Sequence, residues 1–207
     1  MSIRKVLLSL GVLLVFGLSA LGAWGNQLSY SFSGVLTSSY GSLSAGDAFS
    51  GTYTIDSSIA ARAGSTSSFA VFDDLVSATL VIGSFTATIG PGLGLSELQQ
   101  DDVPGADRYA LVGRNAVGST QIGGLDLSLF AFALFDPTGT AVNDALTLLL
   151  SPNLANFASN IFFLGFQDST VEVEGILTTF SAAPEPSTLL LLAASMLFGG
   201  YSLRRRS

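Results

Sequence analysis

Residues 27–37 read QLSYSFSGVLT and alternate large apolar side chains with serine until a glycine interrupts the pattern. Leu28, Tyr30 and Phe32 stand at every second position, and serines fill the positions between them. Successive residues of a β-strand point to opposite faces of the sheet. This spacing therefore predicts a half-buried strand with one apolar and one polar face.

A glycine inside a strand-like segment occurs three times in similar surroundings. The segments are FSGVLT at 32–37, FSGTYT at 49–54 and VEGILT at 173–178. A glycine within a strand often marks a bulge, a bend or the close approach of another backbone. We therefore predict that these three strands are neighbours in one curved sheet, with the first and the last paired.

The rest of the central chain has the sequence pattern of short strands separated by turns. Residues 76–82 and 85–89 alternate around Gly83-Ser84, which predicts a tight hairpin. Residues 125–135 are apolar at nearly every position, with Asp126 and Ser128 as exceptions, which predicts a central strand buried on both faces. Residues 90–107 are predicted to be an irregular loop, and a short helix or helical turns are predicted within 143–154. Together these segments predict an all-β fold, an antiparallel β-sandwich or jelly roll, over residues 26–183.

Composition excludes several classes of function for this central segment, which we call the β domain. Its only basic residues are Arg62, Arg108 and Arg114, and it carries fourteen acids, so its formal charge is 3 − 14 = −11. Such a charge repels nucleic acid. The whole chain has no histidine and no cysteine, which excludes Ser-His-Asp and Cys-His catalysis, disulfides and histidine-ligated metals.

The first 25 residues are predicted to be a signal peptide. Arg4 and Lys5 precede an apolar stretch over 6–18, and small residues follow. Cleavage after Gly22 or after Gly25 is consistent with these small residues, and Gly25 is favoured. The alternative for this segment is an uncleaved N-terminal anchor, although the apolar stretch is short for a membrane span.

Residues 184–207 read PEPSTLLLLAASMLFGGYSLRRRS. The uncharged run 187–203 would span about 25 Å as a helix, at the short end for a hydrocarbon core of about 30 Å. Arg204, Arg205 and Arg206 would stay cytoplasmic under the positive-inside rule, which leaves the β domain outside. Pro184 and Pro186 favour an extended, accessible tripeptide just outside the membrane. The alternative is an ordinary C-terminal membrane anchor, in which the prolines only end the helix. It would have the same spacing of prolines, apolar run and arginines.

The order of these three parts resembles the PEP-CTERM sorting signal of Gram-negative bacteria. The resemblance implies that Pro184, Glu185 and Pro186 form the motif recognised by exosortase, an integral-membrane protease or transpeptidase. It also implies a carrier that is exported through the inner membrane, anchored there transiently and then delivered to the cell surface or beyond. In that family such carriers often accompany exopolysaccharide and biofilm formation.

Carboxylates are the remaining candidates for chemistry in the β domain. Glu97, Asp101, Asp102 and Asp107 fall within the predicted loop, where oxygen ligands could hold calcium. We predict no catalytic residues and no obligatory cofactor. The predicted function is structural or adhesive, within exopolysaccharide or biofilm. The alternatives are a carbohydrate-active enzyme with paired carboxylates, which could also include Glu172 and Glu174, and a calcium-dependent carbohydrate-binding module.

Overall fold

A computed structural model describes residues 27–73, 75–90, 97–102, 105–150 and 152–182. Residues Leu28–Ala183 form one compact unit. The predicted signal peptide, the PEP tripeptide, the apolar run 187–203 and the arginine tail lie outside the described residues. Within the described ranges, no helix has the length and apolar character that a membrane crossing requires.

Eleven strands account for the regular structure of the described residues. Their bounds are β1 Gln27–Leu36, β2 Ala48–Asp56, β3 Phe69–Phe72, β4 Leu75–Ile82, β5 Phe85–Ile89, β6 Glu97–Asp101, β7 Asp107–Arg114, β8 Val117–Gly118, β9 Leu127–Asp136, β10 Ser159–Phe166 and β11 Glu172–Ala182. One 3-10 turn, Leu154–Asn156, lies between β9 and β10. The prediction of an all-β fold is confirmed.

All eleven strands belong to one sheet, in the order β3-β6-β7-β9-β10-β11-β1-β2-β4-β5-β8. Every strand pair with a described register is antiparallel. The sheet curls so that its two halves pack against each other. Phe32 on β1 meets Phe132 on β9 with ring centroids 5.7 Å apart, and the hydroxyls of Tyr53 on β2 and Tyr109 on β7 lie 3.1 Å apart. The described strands thus enclose one core with a single curled sheet, where the sequence predicted a sandwich or a jelly roll.

The glycine segments take the predicted places, since β11, β1 and β2 are adjacent and β1 pairs with β11. The pairing register shifts between Ser33 and Gly34, which is the bulge that a mid-strand glycine indicated. A side chain at Gly34 would collide with the carbonyl oxygen of Ile176 and with the ring of Phe49. At Gly51 the obstacle is the ring of Phe32. The glycines therefore make room for core aromatic rings within the adjacent strands β11, β1 and β2.

Of two other strand predictions, the hairpin is confirmed, and the central strand is confirmed in its position in the sheet. β4 and β5 form the predicted hairpin, with Ile82 opposite Phe85 and Gly83 at a φ of +57° in the turn. β9 is flanked by β7 and β10 along its length, and Phe130, Phe132 and Leu134 are fully buried. The predicted burial on both faces is wrong, because the outward-facing Phe135 is 39% exposed and Leu129 and Ala133 are only half-buried.

The prediction of an irregular loop over 90–107 is wrong in part, because Glu97–Asp101 is strand β6, paired with β3 and β7. Its sequence, ELQQD, lacks the apolar alternation that signals a strand. Gln100 is fully buried there, and its amide nitrogen donates to the carbonyls of Ala145 and Thr147 while its oxygen accepts from the amide of Leu149. Gln100 thus stabilises the 145–149 segment, which forms turns.

Asp136, at the end of β9, organises the turn that follows this strand. Its carboxylate accepts hydrogen bonds from the amides of Thr140, Thr138 and Ala141 at 2.9, 2.8 and 3.1 Å, and from the Thr138 hydroxyl. The Thr140 amide, followed by the Thr138 hydroxyl and amide, lowers the pKa of Asp136 to about 2 from 3.8. Hydrogen bonds to the charged form of a carboxylate have this effect.

This carboxylate predicts a pH dependence of stability. Because the folded-state pKa is below the unfolded value, the contribution of Asp136 is complete above about pH 4 and is lost as the pH falls toward 2. We expect Asp136→Asn to lower the melting temperature at pH 7, and the difference from wild type to shrink between pH 4 and pH 2. Thermal melts across this range test it, with the exposed Asp126→Asn as the control. A difference independent of pH would contradict the prediction.

Candidate functional site: a hydroxyl face on the sheet

One outward face of the sheet is covered by serine and threonine side chains. We call it the hydroxyl face and define it by Ser29, Ser31, Ser33, Ser50, Thr52, Thr54, Ser77, Thr79, Thr179 and Ser181, on strands β11, β1, β2 and β4. These residues alternate with core residues such as Phe32 and Tyr53, which point to the other side. Strand alternation therefore places the hydroxyls outward while the aromatic rings fill the core.

Hydroxyl pairs link all four strands of this face. Ser31 contacts Ser181 at 3.0 Å and Ser33 contacts Thr179 at 2.7 Å, which joins β1 to β11. The pair of Ser29 and Thr54, at 2.9 Å, joins β1 to β2. The Thr52–Thr79 pair, at 2.8 Å, joins β2 to β4. These cross-strand contacts hold the hydroxyls in a regular array whose spacing is that of the sheet.

A shallow depression of about 430 Å³ lies within this face. Its lining consists of Ser31, Phe32, Ser33, Ser50, Gly51, Thr52, Thr79, Val81 and Thr179. None of these residues is charged. A hydroxyl offers one donor and two acceptor lone pairs. A pair of hydroxyls uses one hydrogen for its own contact, so each pair retains a second hydrogen and free lone pairs for a ligand. The depression can thus bind a neutral molecule that is rich in hydroxyl groups.

The predicted calcium residues occupy different environments. Asp101 forms an ion pair with Arg108 at 2.9 Å on the outward side of β6 and β7. Asp107 is fully buried, and one of its oxygens accepts from the amide of Val142 at 2.8 Å. Asp102 follows β6, and Glu97 begins it, four residues and about 13 Å of strand from Asp101.

The strand therefore separates Glu97 from Asp101, and Asp101 and Asp107 belong to opposite faces of the sheet. Among the described residues, no three acids, histidines or cysteines lie close enough together to hold a metal ion. Calcium binding by these four acids stays a prediction. Glu172 and Glu174 are exposed, as expected for the polar side of a strand.

Sequence reasoning did not identify the hydroxyl face as a site. The available signal was the recurrence of serine or threonine at every second position in 29–33, 50–54, 77–79 and 179–181. Each segment alone resembles an ordinary exposed strand. Only the register between strands brings Ser33 beside Thr179, which is 146 residues away in the chain.

Comparison with known proteins bears on the segment that follows β11. Residues 182–206 match the PEP-CTERM protein-sorting motif, and this range contains the predicted tripeptide and arginine tail. No curated protein and no solved structure matches the chain. A PEP-CTERM motif implies export, processing by exosortase and sorting to the cell surface of Gram-negative bacteria. The resemblance seen in the sequence is thus confirmed for this segment, and the chain contains a PEP-CTERM protein-sorting motif.

Proposed function

We propose that the protein is a structural or adhesive component of the cell surface, embedded in extracellular polysaccharide, and that it is not an enzyme. The signal peptide directs export, the apolar run 187–203 anchors the chain in the inner membrane, and exosortase acts at Pro184-Glu185-Pro186. The β domain then reaches the surface and contacts the matrix. The observation that carries this proposal is the hydroxyl face, a rigid and uncharged array of hydrogen-bonding groups.

The charge of the β domain favours a neutral polymer as the ligand. With a formal charge of −11, the domain repels anionic chains, whereas the depression on the hydroxyl face contains no charged group. Hydrogen bonds between neutral hydroxyls contribute about 0.5–1.5 kcal/mol each. Attachment to a matrix therefore requires many such contacts along one polymer, which an array extending over four strands supplies.

The carboxylates favour this proposal over the enzymatic alternative. Asp101 is held by Arg108, and Asp107 is held by the Val142 amide inside the fold. A glycosidase instead needs two carboxylates that face a substrate across a cleft. The depression that we assign to the ligand contains no carboxylate.

A double substitution tests the hydroxyl face. Thr52→Val with Thr79→Val keeps the side-chain shape and removes two neighbouring hydroxyls from the depression. We expect binding to the neutral exopolysaccharide of the native host to weaken about tenfold, since two hydrogen bonds of ordinary strength are lost. Co-sedimentation of the surface-released protein with that polysaccharide measures the effect. Thr120→Val, at an exposed threonine outside the hydroxyl face and outside the lining of the depression, is the matched control.

Two results would contradict the proposal. One is equal retention of the double variant and the wild type at equal thermal stability. The other is release of reducing sugar ends from the polysaccharide by the wild-type protein, which would support the carbohydrate-active enzyme.

A further inference from the structure

A second outward face of the sheet exposes large apolar side chains. We call it the apolar face and define it by Ala110, Val112, Leu129, Ala131, Ala133, Phe135, Ile161, Phe163 and Ile176, on strands β7, β9, β10 and β11. Phe135, Ile161 and Ile176 are 39%, 42% and 49% exposed, and the two isoleucines are direct cross-strand neighbours. Contiguous exposed apolar patches on soluble proteins usually mark interaction surfaces.

Large and small side chains alternate across the seam between β9 and β10. Ala133 lies opposite Ile161, and Ala131 lies opposite Phe163. One pair further along, the order reverses, and Leu129 lies opposite Gly165. Each large residue on one strand thus has a small neighbour on the other, so the seam is a row of ridges and hollows.

The shape of this seam is self-complementary. A two-fold axis that runs parallel to the strands, along the seam, places β10 of one copy over β9 of a second copy. Ile161 then lies over Ala133 of the second copy, Phe163 over Ala131, and Leu129 over Gly165. Sheets that pack face to face keep their strand directions within about 30° and interdigitate such side chains. A two-fold interface uses the same patch on both copies.

The charges at the borders of the face specify the same axis. Arg114 on β7, Leu129, Gly165 and Glu172 on β11 form one row across four strands. Rotation about the seam brings Arg114 opposite Glu172 of the second copy, and Glu172 opposite Arg114. An axis perpendicular to the strands that crosses β7 at Leu111 would instead bring Arg114 opposite Arg108, with like charges facing each other.

Arg114 has no counter-ion of its own within the described part of the chain. Arg62 is paired with Asp73 and Arg108 with Asp101, whereas no described carboxylate pairs with Arg114. Glu172 and Glu174, at the opposite border, are both exposed. We infer that two copies of the β domain associate through the apolar face, about a two-fold axis parallel to the strands along the β9–β10 seam.

Cysteine cross-linking tests this interface in the full chain, in its native host, because the protein contains no cysteine. Ala133→Cys places a thiol beside the axis, within reach of the same thiol of the second copy through a short bismaleimide. We expect a covalent dimer for this variant. We expect none above background for Thr88→Cys, on the outward side of β5, which serves as the control. Equal yields from the two variants would overturn the inference.

Charge reversal tests the axis, with Ala133→Cys as the background. Arg114→Glu or Glu172→Arg alone should reduce the dimer yield about tenfold, because two symmetry-related ion pairs become repulsive. The double reversal should restore the yield. The two residues lie three strands, or about 14 Å, apart within one copy, so rescue can arise only between copies. Failure of the double variant to recover would overturn the proposed axis.

Discussion

Replacement of Pro184, Glu185 and Pro186 by alanine is expected to leave the chain in the inner membrane, with its residues up to Ser207 uncleaved. The tripeptide lies inside the matched sorting motif, and exosortase processing depends on that motif. Alanine has an amide hydrogen and no fixed φ, so the substitution removes the preference for an extended backbone that the sequence predicts for this tripeptide. The apolar run and the arginines are unchanged, so we expect the proposed membrane anchoring to be retained.

The intact mass of the protein in membrane and surface fractions measures this effect. Wild type should be recovered from the surface without the signal peptide and without the segment that follows about Pro186. The control variant Ala182→Ser with Ala183→Ser changes the preceding two residues and leaves the tripeptide intact. Normal processing and release of the alanine variant would refute recognition of this tripeptide.

Substitution of Gly34 by valine is expected to destabilise the β domain by about 3 kcal/mol or more, at the upper end of overpacking costs. The new side chain would collide with the Ile176 carbonyl oxygen and with the ring of Phe49. The Ile176 carbonyl oxygen belongs to the backbone of the paired strands β1 and β11, so it cannot rotate away. Domains are typically stable by only 5–15 kcal/mol, so the protein should accumulate poorly at 37 °C.

A second glycine provides the comparison for this experiment. An added methyl group at Gly165 would approach Leu129 at 3.4 Å, an ordinary contact distance. Gly165→Ala should therefore change the free energy of unfolding by less than about 1 kcal/mol. Urea unfolding of both variants measures the difference. Similar stabilities for the two variants would contradict the packing argument at Gly34.

The two outward faces suggest how one sheet can serve both proposals. The hydroxyl face lies on β11, β1, β2 and β4, whereas the apolar face is centred on β9 and β10. Association through the apolar face would therefore leave the depression around Thr52 and Thr79 accessible. Two such depressions in one dimer would bind a shared polymer with greater avidity than either alone.

The sequence by itself determined the strand class, the sorting motif and the position of the bulge in β1. Alternation in 27–37, the three glycine segments and the Gly83 hairpin are local signals, because each depends on residues within a few positions of one another. The PEP tripeptide, the apolar run and the arginines are likewise contiguous. These features could be predicted because no distant contact is needed to specify them.

The tertiary structure alone decided that the polar segment 97–101 is a strand and that Gln100 is buried in it. It also decided which serines and threonines form pairs, and that Ala133 lies beside Ile161. The physical reason is register. A shift of one residue between strands would exchange the two faces of a sheet, and register depends on packing between segments distant in sequence.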